Sequence, residues 1–198
     1  NIGVVRIAES LDPSILFNIY DKLGVGQKSQ LRLTGEEAGR LGTLRRWQID
    51  PFEYATKAYG YGISVNTLKL AQMYTVFGNE GHYRPLRLIK NDYYPETTEV
   101  FSPGVTEQVL LMLEASTDKS RGAGGWRATV PNFRVGGKSG TIRKIVNGKY
   151  SSTSHRSFFV GVAPISDPRY VIAVMIDEPR KDGYYGGLIA APIFSDVM

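Results

Sequence analysis

Arg134-Val135-Gly136-Gly137-Lys138-Ser139-Gly140-Thr141-Ile142-Arg143 is the stretch from which this chain is best read. One lysine and two hydroxyls surround a glycine, and two more glycines precede them. Glycine lets a backbone edge come close to another group. Residues two apart on an extended strand point to one face, so Ser139 and Thr141 are predicted to share a face. An edge with paired hydroxyls and an ammonium close by suits a carboxylate. Downstream, Asn147-Gly148 fits a type I′ turn and predicts a hairpin, with one strand over 136–146 and another from Lys149 onward. Ser157 to Ala163 and Tyr170 to Ile176 read as two further strands, separated by the turn Ser166-Asp167-Pro168.

Upstream of this region the period is helical. Asn1 to Leu11 and Asp12 to Leu23 read as consecutive helices, the second with Asp12 as N-cap, Pro13 at its first position, a stripe of Ile15, Leu16, Ile19 and Leu23, and Gly24 as its stop. Gly24 to Asp50 shows no clean period and is expected to be irregular surface structure. Pro51 to Tyr59 is a short helix. Asn66 to Asn79 is apolar nearly all round and is expected to be buried. Arg84 to Lys90 reads as a short strand, and Ser102-Pro103 opens a helix with Val105, Val109, Leu110 and Leu113 on one side. The glycine-rich break 121–126 ends that unit, and a helix from Leu188 closes the chain. Helices first and consecutive antiparallel strands later predict an α+β body, an antiparallel sheet flanked by helices with the Lys138 strand inside it.

The 198 residues are 42% hydrophobic, enough for one substantial core. Lys and Arg number 24 against 19 Asp and Glu, a net charge of +5 spread along the chain. A dedicated nucleic-acid binder concentrates its basic residues on one element, so no nucleic-acid partner is expected. A polyanion-binding surface is the bland alternative. The absence of cysteine excludes disulfides, Cys-ligated zinc and a Cys nucleophile together. With His82 and His155 the only histidines, neither a His-rich metal site nor a Ser-His-Asp triad is expected, and no cofactor is implied. Nucleophilic chemistry would need another base, and lysine is the obvious substitute. No run approaches the roughly 20 apolar residues of a membrane span. Asn1 at the start and an uncapped helix at the end read as cuts through a longer protein.

Several segments, taken in order, resemble the transpeptidase domain of class B penicillin-binding proteins, most closely the division-specific type known as penicillin-binding protein 3. They are Asn1-Ile2-Gly3-Val4, Gly35-Glu36, Tyr59-Gly60-Tyr61-Gly62-Ile63-Ser64-Val65, Leu70-Ala71, Lys138 to Thr141, Gly161-Val162-Ala163-Pro164, and Gly183-Tyr184-Tyr185-Gly186-Gly187 running into Ala191-Pro192-Ile193-Phe194. The resemblance implies a penicillin-binding protein / serine β-lactamase-like fold, incomplete at its N-terminal side, with 1–198 the C-terminal part of a single domain. The family carries Ser-x-x-Lys, Ser-x-Asn and Lys-Thr/Ser-Gly elements. Ser116-Thr117-Asp118-Lys119 and Ser64-Val65-Asn66 match the first two formally, but in reversed order. Ser116 ends a helix where a nucleophile should begin one, and Ser64 or Asn66 reads better as a helix cap. The resemblance places Asn1 as the last residue of Ser-x-Asn, with the nucleophile segment outside this chain.

In function, the resemblance implies a serine-type D,D-transpeptidase that cross-links peptidoglycan stem peptides during septal wall synthesis and is acylated by β-lactams. Lys138 would supply positive charge, and Ser139 and Thr141 would bind the terminal carboxylate across Gly140. The Thr141 N–H would be half of the oxyanion hole, and Asn1 would bond the acyl side-chain amide. Arg143 and Arg156 would add to the positive field. His155 reads either as a cleft-rim group or as a surface histidine. Tyr184 and Tyr185 read as a hydrophobic wall, with core packing the alternative, and Tyr59 and Tyr61 as core residues under the site. Glu36 and Glu37 carry no catalytic part. Implied partners are the stem peptide and its lipid-linked precursor, β-lactam antibiotics, divisome membrane proteins and the remainder of the domain before Asn1. The implied setting is the periplasm, with a single N-terminal anchor in the inner membrane. A serine β-lactamase, a D,D-carboxypeptidase or a non-catalytic penicillin-sensing module are the alternatives of the same fold.

Overall fold

The computed structural model describes residues 1–198 apart from Asn91, Tyr93, Tyr94 and Asp182. The chain divides into two compact units, Asn1–Lys69 with Tyr83–Val100, and Leu70–His82 with Phe101–Met198.

The first unit is helical: α1 (Ile2–Glu9), α2 (Pro13–Lys22), α3 (Leu44–Ile49), α4 (Pro51–Lys57) and the first turn of α5 (Thr67–Gly78). Local signals set the helix starts. The Asp12 carboxylate accepts the Ser14 N–H at 2.8 Å ahead of Pro13, and Asp50 accepts the Glu53 N–H at 3.0 Å ahead of Pro51. Asn66 Oδ1 accepts the Lys69 N–H at 2.6 Å, the cap expected at the start of α5. The core gathers on Trp47, whose ring meets Phe17 edge-on at 5.2 Å and lies 6.1 Å from Tyr20 and 6.3 Å from Tyr54. Helix α3 lies within the stretch expected to be irregular. Six residues containing two arginines are too short to show a helical period, and it is the burial of Trp47 that holds them. Strands β1 (His82–Tyr83) and β2 (Thr98–Glu99) have two residues each, and Arg84–Lys90 is not a strand. Pro85 has no N–H to give a ladder there.

The second unit holds α6 (Pro103–Ala115), β3 (Gly136–Val146), β4 (Lys149–Ala163), β5 (Tyr170–Asp177) and α7 (Gly186–Val197), with the sheet in the order β3-β4-β5, antiparallel throughout. Asn147 and Gly148 both take positive φ, 52° and 75°, as the hairpin turn requires. Two expectations need correction. The lysine strand is the edge of this sheet, not an inner strand, and residues 149–163 form one strand of 15 residues. The run Ser151 to Ser154 lacks alternation, yet the hairpin keeps it extended past an irregularity in register between Arg143 and Ile145.

The sheet is covered on both faces. On one, Phe159 packs at 5.0 Å against Phe194 of α7, together with Ala128, Val135, Ala163, Ala190 and Ala191. On the other, Val162 and Ile165 pack with Leu110 of α6 and with Tyr74 and Phe77. The Tyr74 phenol is pushed up to about 12 by this burial. Helix α6 buries Thr106, Leu110 and Leu113, so its inner stripe is turned from the expected one and Val105 faces out. Gly136 and Gly137 serve this packing. A side chain at Gly136 would strike the end of α6, and one at Gly137 would enter the Phe159 ring.

Candidate active site

The Lys138–Thr141 segment presents its free edge through simple alternation. The carbonyls of Gly137 and Ser139 are taken by side chains outside β4: Gly137 O by the Ser116 hydroxyl, Ser139 O by Lys138 Nζ at 2.7 Å. Backbone groups of an antiparallel strand point alternately to either side. The N–H and C=O of Thr141 therefore lie on the same outer edge as those of Gly137 and Ser139. Lys138 is exposed and belongs to the face opposite Ser139 and Thr141. Between them, a side chain at Gly140 would meet nothing closer than Phe158 Cβ at 3.7 Å. The space beside the lysine is open. The Lys138 ammonium, bonded to Ser139 O, and the Thr141 N–H both lie along this edge.

The head of α7 completes the segment from the sheet face. Gly186 N–H donates to Thr141 Oγ1 at 2.9 Å. Any side chain at Gly186 would overlap the carbonyls of Phe158 and Gly140, and one at Gly187 the carbonyl of Gly124. These two glycines, read from sequence as part of a loop, are the buried first turn of a helix, and close approach is what demands them. Before them, Tyr184 lies flat on His155, with centroids 3.9 Å apart and planes 10° from parallel. Tyr185 follows at 4.7 Å from Tyr184, the two hydroxyls 3.5 Å apart. Hydrogen bonding to Tyr184 raises the Tyr185 phenol above its ordinary value. Tyr185 is 61% exposed and Tyr184 38%.

Two of the expected binding residues are placed differently. His155 is neither an open rim group nor a surface histidine: it is buried beneath Tyr184, with Nδ1 3.2 Å from Thr153 O. Arg156 donates to Asp177 at 2.9 Å, which offsets the charge it was expected to add. Asp177 also meets Lys144 at 3.0 Å, and these two hydrogen-bonded cations hold it below the usual carboxylate range. Arg143, opposite His155 in the register, is exposed and forms no ion pair among the described residues.

The Ser116 hydroxyl is engaged in this arrangement. It sits at the end of α6 between Leu113 O, at 2.9 Å, and Gly137 O, while Lys119 Nζ lies 4.5 Å over the Trp126 ring. Glu36 is structural: it accepts the Ser29 N–H and hydroxyl, both at 2.7 Å, and these bonds hold it below the ordinary value. In the first unit Asn1 is exposed, makes no side-chain capping bond, and lines a surface cavity of about 600 Å³ with Ile2, Val5, Arg6, Glu9, Tyr59 and Tyr61. Tyr59, expected in the core, is 36% exposed and stands 5.6 Å from Tyr61. Among the described residues no group of His, Asp and Glu could hold a metal ion, and no helix is long and apolar enough to cross a membrane. Sequence reading missed Ser157 and the Gly186 N–H, because nothing in local spacing shows that β4 and the head of α7 meet Thr141.

All of residues 1–198 match the family model described as the penicillin binding protein transpeptidase domain. The chain belongs to this family. It is 38% identical over 198 residues to the probable peptidoglycan D,D-transpeptidase PbpC of Pseudomonas aeruginosa, covering 100% of this chain and 34% of that protein. It is 35% identical over 199 residues to the peptidoglycan D,D-transpeptidase FtsI of Escherichia coli, covering 100% of this chain and 33% of the relative. The chain thus spans about a third of the length of these curated relatives. Among solved structures, the apo transpeptidase domain of Burkholderia pseudomallei penicillin-binding protein 3 is similar, with a TM-score of 0.90 and 38% identity, over 99% of this chain and 59% of that one. These matches agree with the α+β fold described above.

Proposed function

We propose that residues 1–198 supply the lysine strand, its oxyanion donor and its carboxylate-binding hydroxyls to a peptidoglycan D,D-transpeptidase that acts in cell division and is a target of β-lactams. The observation that supports this reading is the free edge of β3, the strand that carries Lys138, Ser139 and Thr141. The attacking serine is assigned outside 1–198, since the Ser116 hydroxyl is engaged by carbonyls. Its oxygen adds to the carbonyl of the penultimate D-alanine of a stem peptide as its proton passes to the lysine of the same outside segment, which returns a proton to the leaving amine. The tetrahedral oxyanion takes the Thr141 N–H as one donor, and collapse expels the terminal D-alanine, leaving an acyl-enzyme that an amine on a neighbouring stem resolves. Lys138 stabilises negative charge as it develops and attracts the substrate carboxylate, which Ser139 and Thr141 bind. Arg143 extends the positive edge, Asn1 bonds the acyl side-chain amide, and Tyr184 and Tyr185 form an aromatic wall seated on His155. Septal location, a membrane anchor and divisome partners belong to this proposal, supported by the relatives named FtsI.

Covalent labelling tests it. A transpeptidase carrying these residues with its nucleophile segment should be acylated by a fluorescent penicillin and release it slowly, whereas residues 1–198 alone should not label. Lys138→Ala should slow acylation by a hundredfold or more, the loss of roughly 3 kcal/mol typical for a preorganised electrostatic group, with little change in melting temperature. Unchanged acylation in Lys138→Ala, or an adduct on Ser116, refutes the assignment. Fast hydrolysis of the adduct would mark a β-lactamase instead.

A further inference from the structure

We propose that Ser157 is a positioning residue: by holding the Tyr184 carbonyl it presets the Thr141 hydroxyl as a donor to the substrate carboxylate. This rests on the reading of the β3 edge given above. Ser157 and Thr141 stand directly opposite each other on β4 and β3 and so share a face. Each bonds the same short turn. Ser157 Oγ donates to Tyr184 O at 2.5 Å, and two residues later Gly186 N–H donates to Thr141 Oγ1 at 2.9 Å. The turn into α7 is therefore stapled at two points to a facing pair of strand residues.

The chemistry comes from the hydroxyl itself. A threonine hydroxyl has one hydrogen and two lone pairs, and left alone it rotates and bonds nearby backbone. With Gly186 N–H on one lone pair, the hydroxyl is held in a single rotamer and its hydrogen remains for a ligand. A carboxylate accepts and never donates, so a hydroxyl already committed as acceptor to a fixed N–H is matched to it. The Gly186 N–H stays in place only while the turn does. Ser157 is fully buried, at 0% exposure, and its hydroxyl is held by the Tyr184 carbonyl. With Ser157 replaced, the Tyr184 carbonyl would lose this donor, and the turn would shift to find another. That shift carries the Gly186 N–H away from Thr141. Ser157 itself touches no substrate in this scheme.

The test uses the complete transpeptidase and a matched pair of probes, benzylpenicillin with its free carboxylate and the methyl ester of the same compound. The quantity read is the ratio of their second-order acylation rates. Ser157→Ala should lower the free-acid to ester ratio about tenfold, the weight of one weakened charge-assisted hydrogen bond, while the ester rate stays within about twofold. Ser157→Cys keeps the volume but donates weakly, so it should give an intermediate ratio and serves if the alanine variant fails to fold. A ratio unchanged from wild type, or both rates falling by one common factor, overturns the proposal and leaves the transpeptidase reading intact. Failure of benzylpenicillin itself to acylate the wild-type enzyme would overturn both.

Discussion

Gly161 lies on β4 beneath Phe194 of α7, and the prediction that probes this joint most directly is Gly161→Ala. A methyl there would come 2.7 Å from both Cε2 and Cζ of the Phe194 ring and 3.0 Å from Gly136 O. Carbon pairs rest at ~3.5–4.0 Å, so the ring must retreat by about 1 Å in a core where Phe194 is fully buried. Overpacking of this kind costs about 1–3 kcal/mol. For a chain of this size that corresponds to a fall of about 2–12 °C in Tm. Because α7 carries Gly186, the same displacement should lengthen the 2.9 Å bond to Thr141, and acylation should fall with stability. Phe194→Leu removes both ring atoms and alone should cost less than the ~3–5 kcal/mol of a Phe→Ala truncation. In the double variant the new methyl occupies part of the space vacated, so the losses should fall short of their sum by about 1 kcal/mol. Thermal unfolding of the four proteins as complete transpeptidases, with penicillin acylation measured on each, completes the cycle. A Gly161→Ala variant with unchanged Tm, or a double variant that loses the full sum, refutes the claim that this ring seats α7 on the sheet.

Replacing Tyr185 with Ala should leave Tm nearly unchanged, given its 61% exposure, yet weaken β-lactams with bulky apolar groups by about 1 kcal/mol more than small ones. Tyr184→Ala should in addition lower Tm modestly, since it uncovers His155, and equal losses across all β-lactams in competition labelling would place the pair outside the cleft. The Glu114 to Arg134 pair, at 2.6 and 2.7 Å, ties α6 to the segment leading into β3, and the Arg134 hydrogen bonds hold Glu114 below its ordinary 4.5. A depressed carboxylate stabilises the fold above its unfolded value, and that share is lost as pH falls through the folded one. Glu114→Gln should therefore cost up to about 1 kcal/mol near neutral pH, discounted for the exposure of Arg134, and the difference should shrink as pH falls below 4.5 through the folded value. Urea midpoints across this pH range measure this, and a difference that does not vary with pH counts against it.

Much of the candidate site was readable without coordinates because its signals are local. Lys138 to Thr141 alternate along one strand, the Asn147-Gly148 turn enforces the hairpin, and Asp12-Pro13 starts a helix through contacts within a few residues. Where the reading failed, the deciding contact was distant in the chain. The six residues of α3 are helical because Trp47 finds Phe17, Tyr20 and Tyr54. Asn66 to Asn79 reads as an apolar helix, yet the residues α5 buries most include Lys69 and Gln72 beside Val76. Lys69 is accommodated because its ammonium meets Tyr83 OH at 2.7 Å, and desolvation lowers its pKa from the ordinary value.

The sequence by itself determined the α+β order of elements, the family resemblance and the residue types at the β3 edge. Each rests on chain-local geometry: the two-residue alternation of a strand, the 3.6-residue period of a helix, and the backbone freedom of glycine. Tertiary structure alone decided that the lysine strand is an edge with the Thr141 N–H facing outward, that His155 lies under Tyr184, that Arg156 is matched to Asp177, and that Ser157 and Gly186 hold the turn beside Thr141. Those partners lie between 21 and 45 positions apart along the chain, as with Arg156 and Asp177 or Thr141 and Gly186. No period or spacing encodes such a meeting, because it is set by which faces of the sheet and of α7 can pack without overlap.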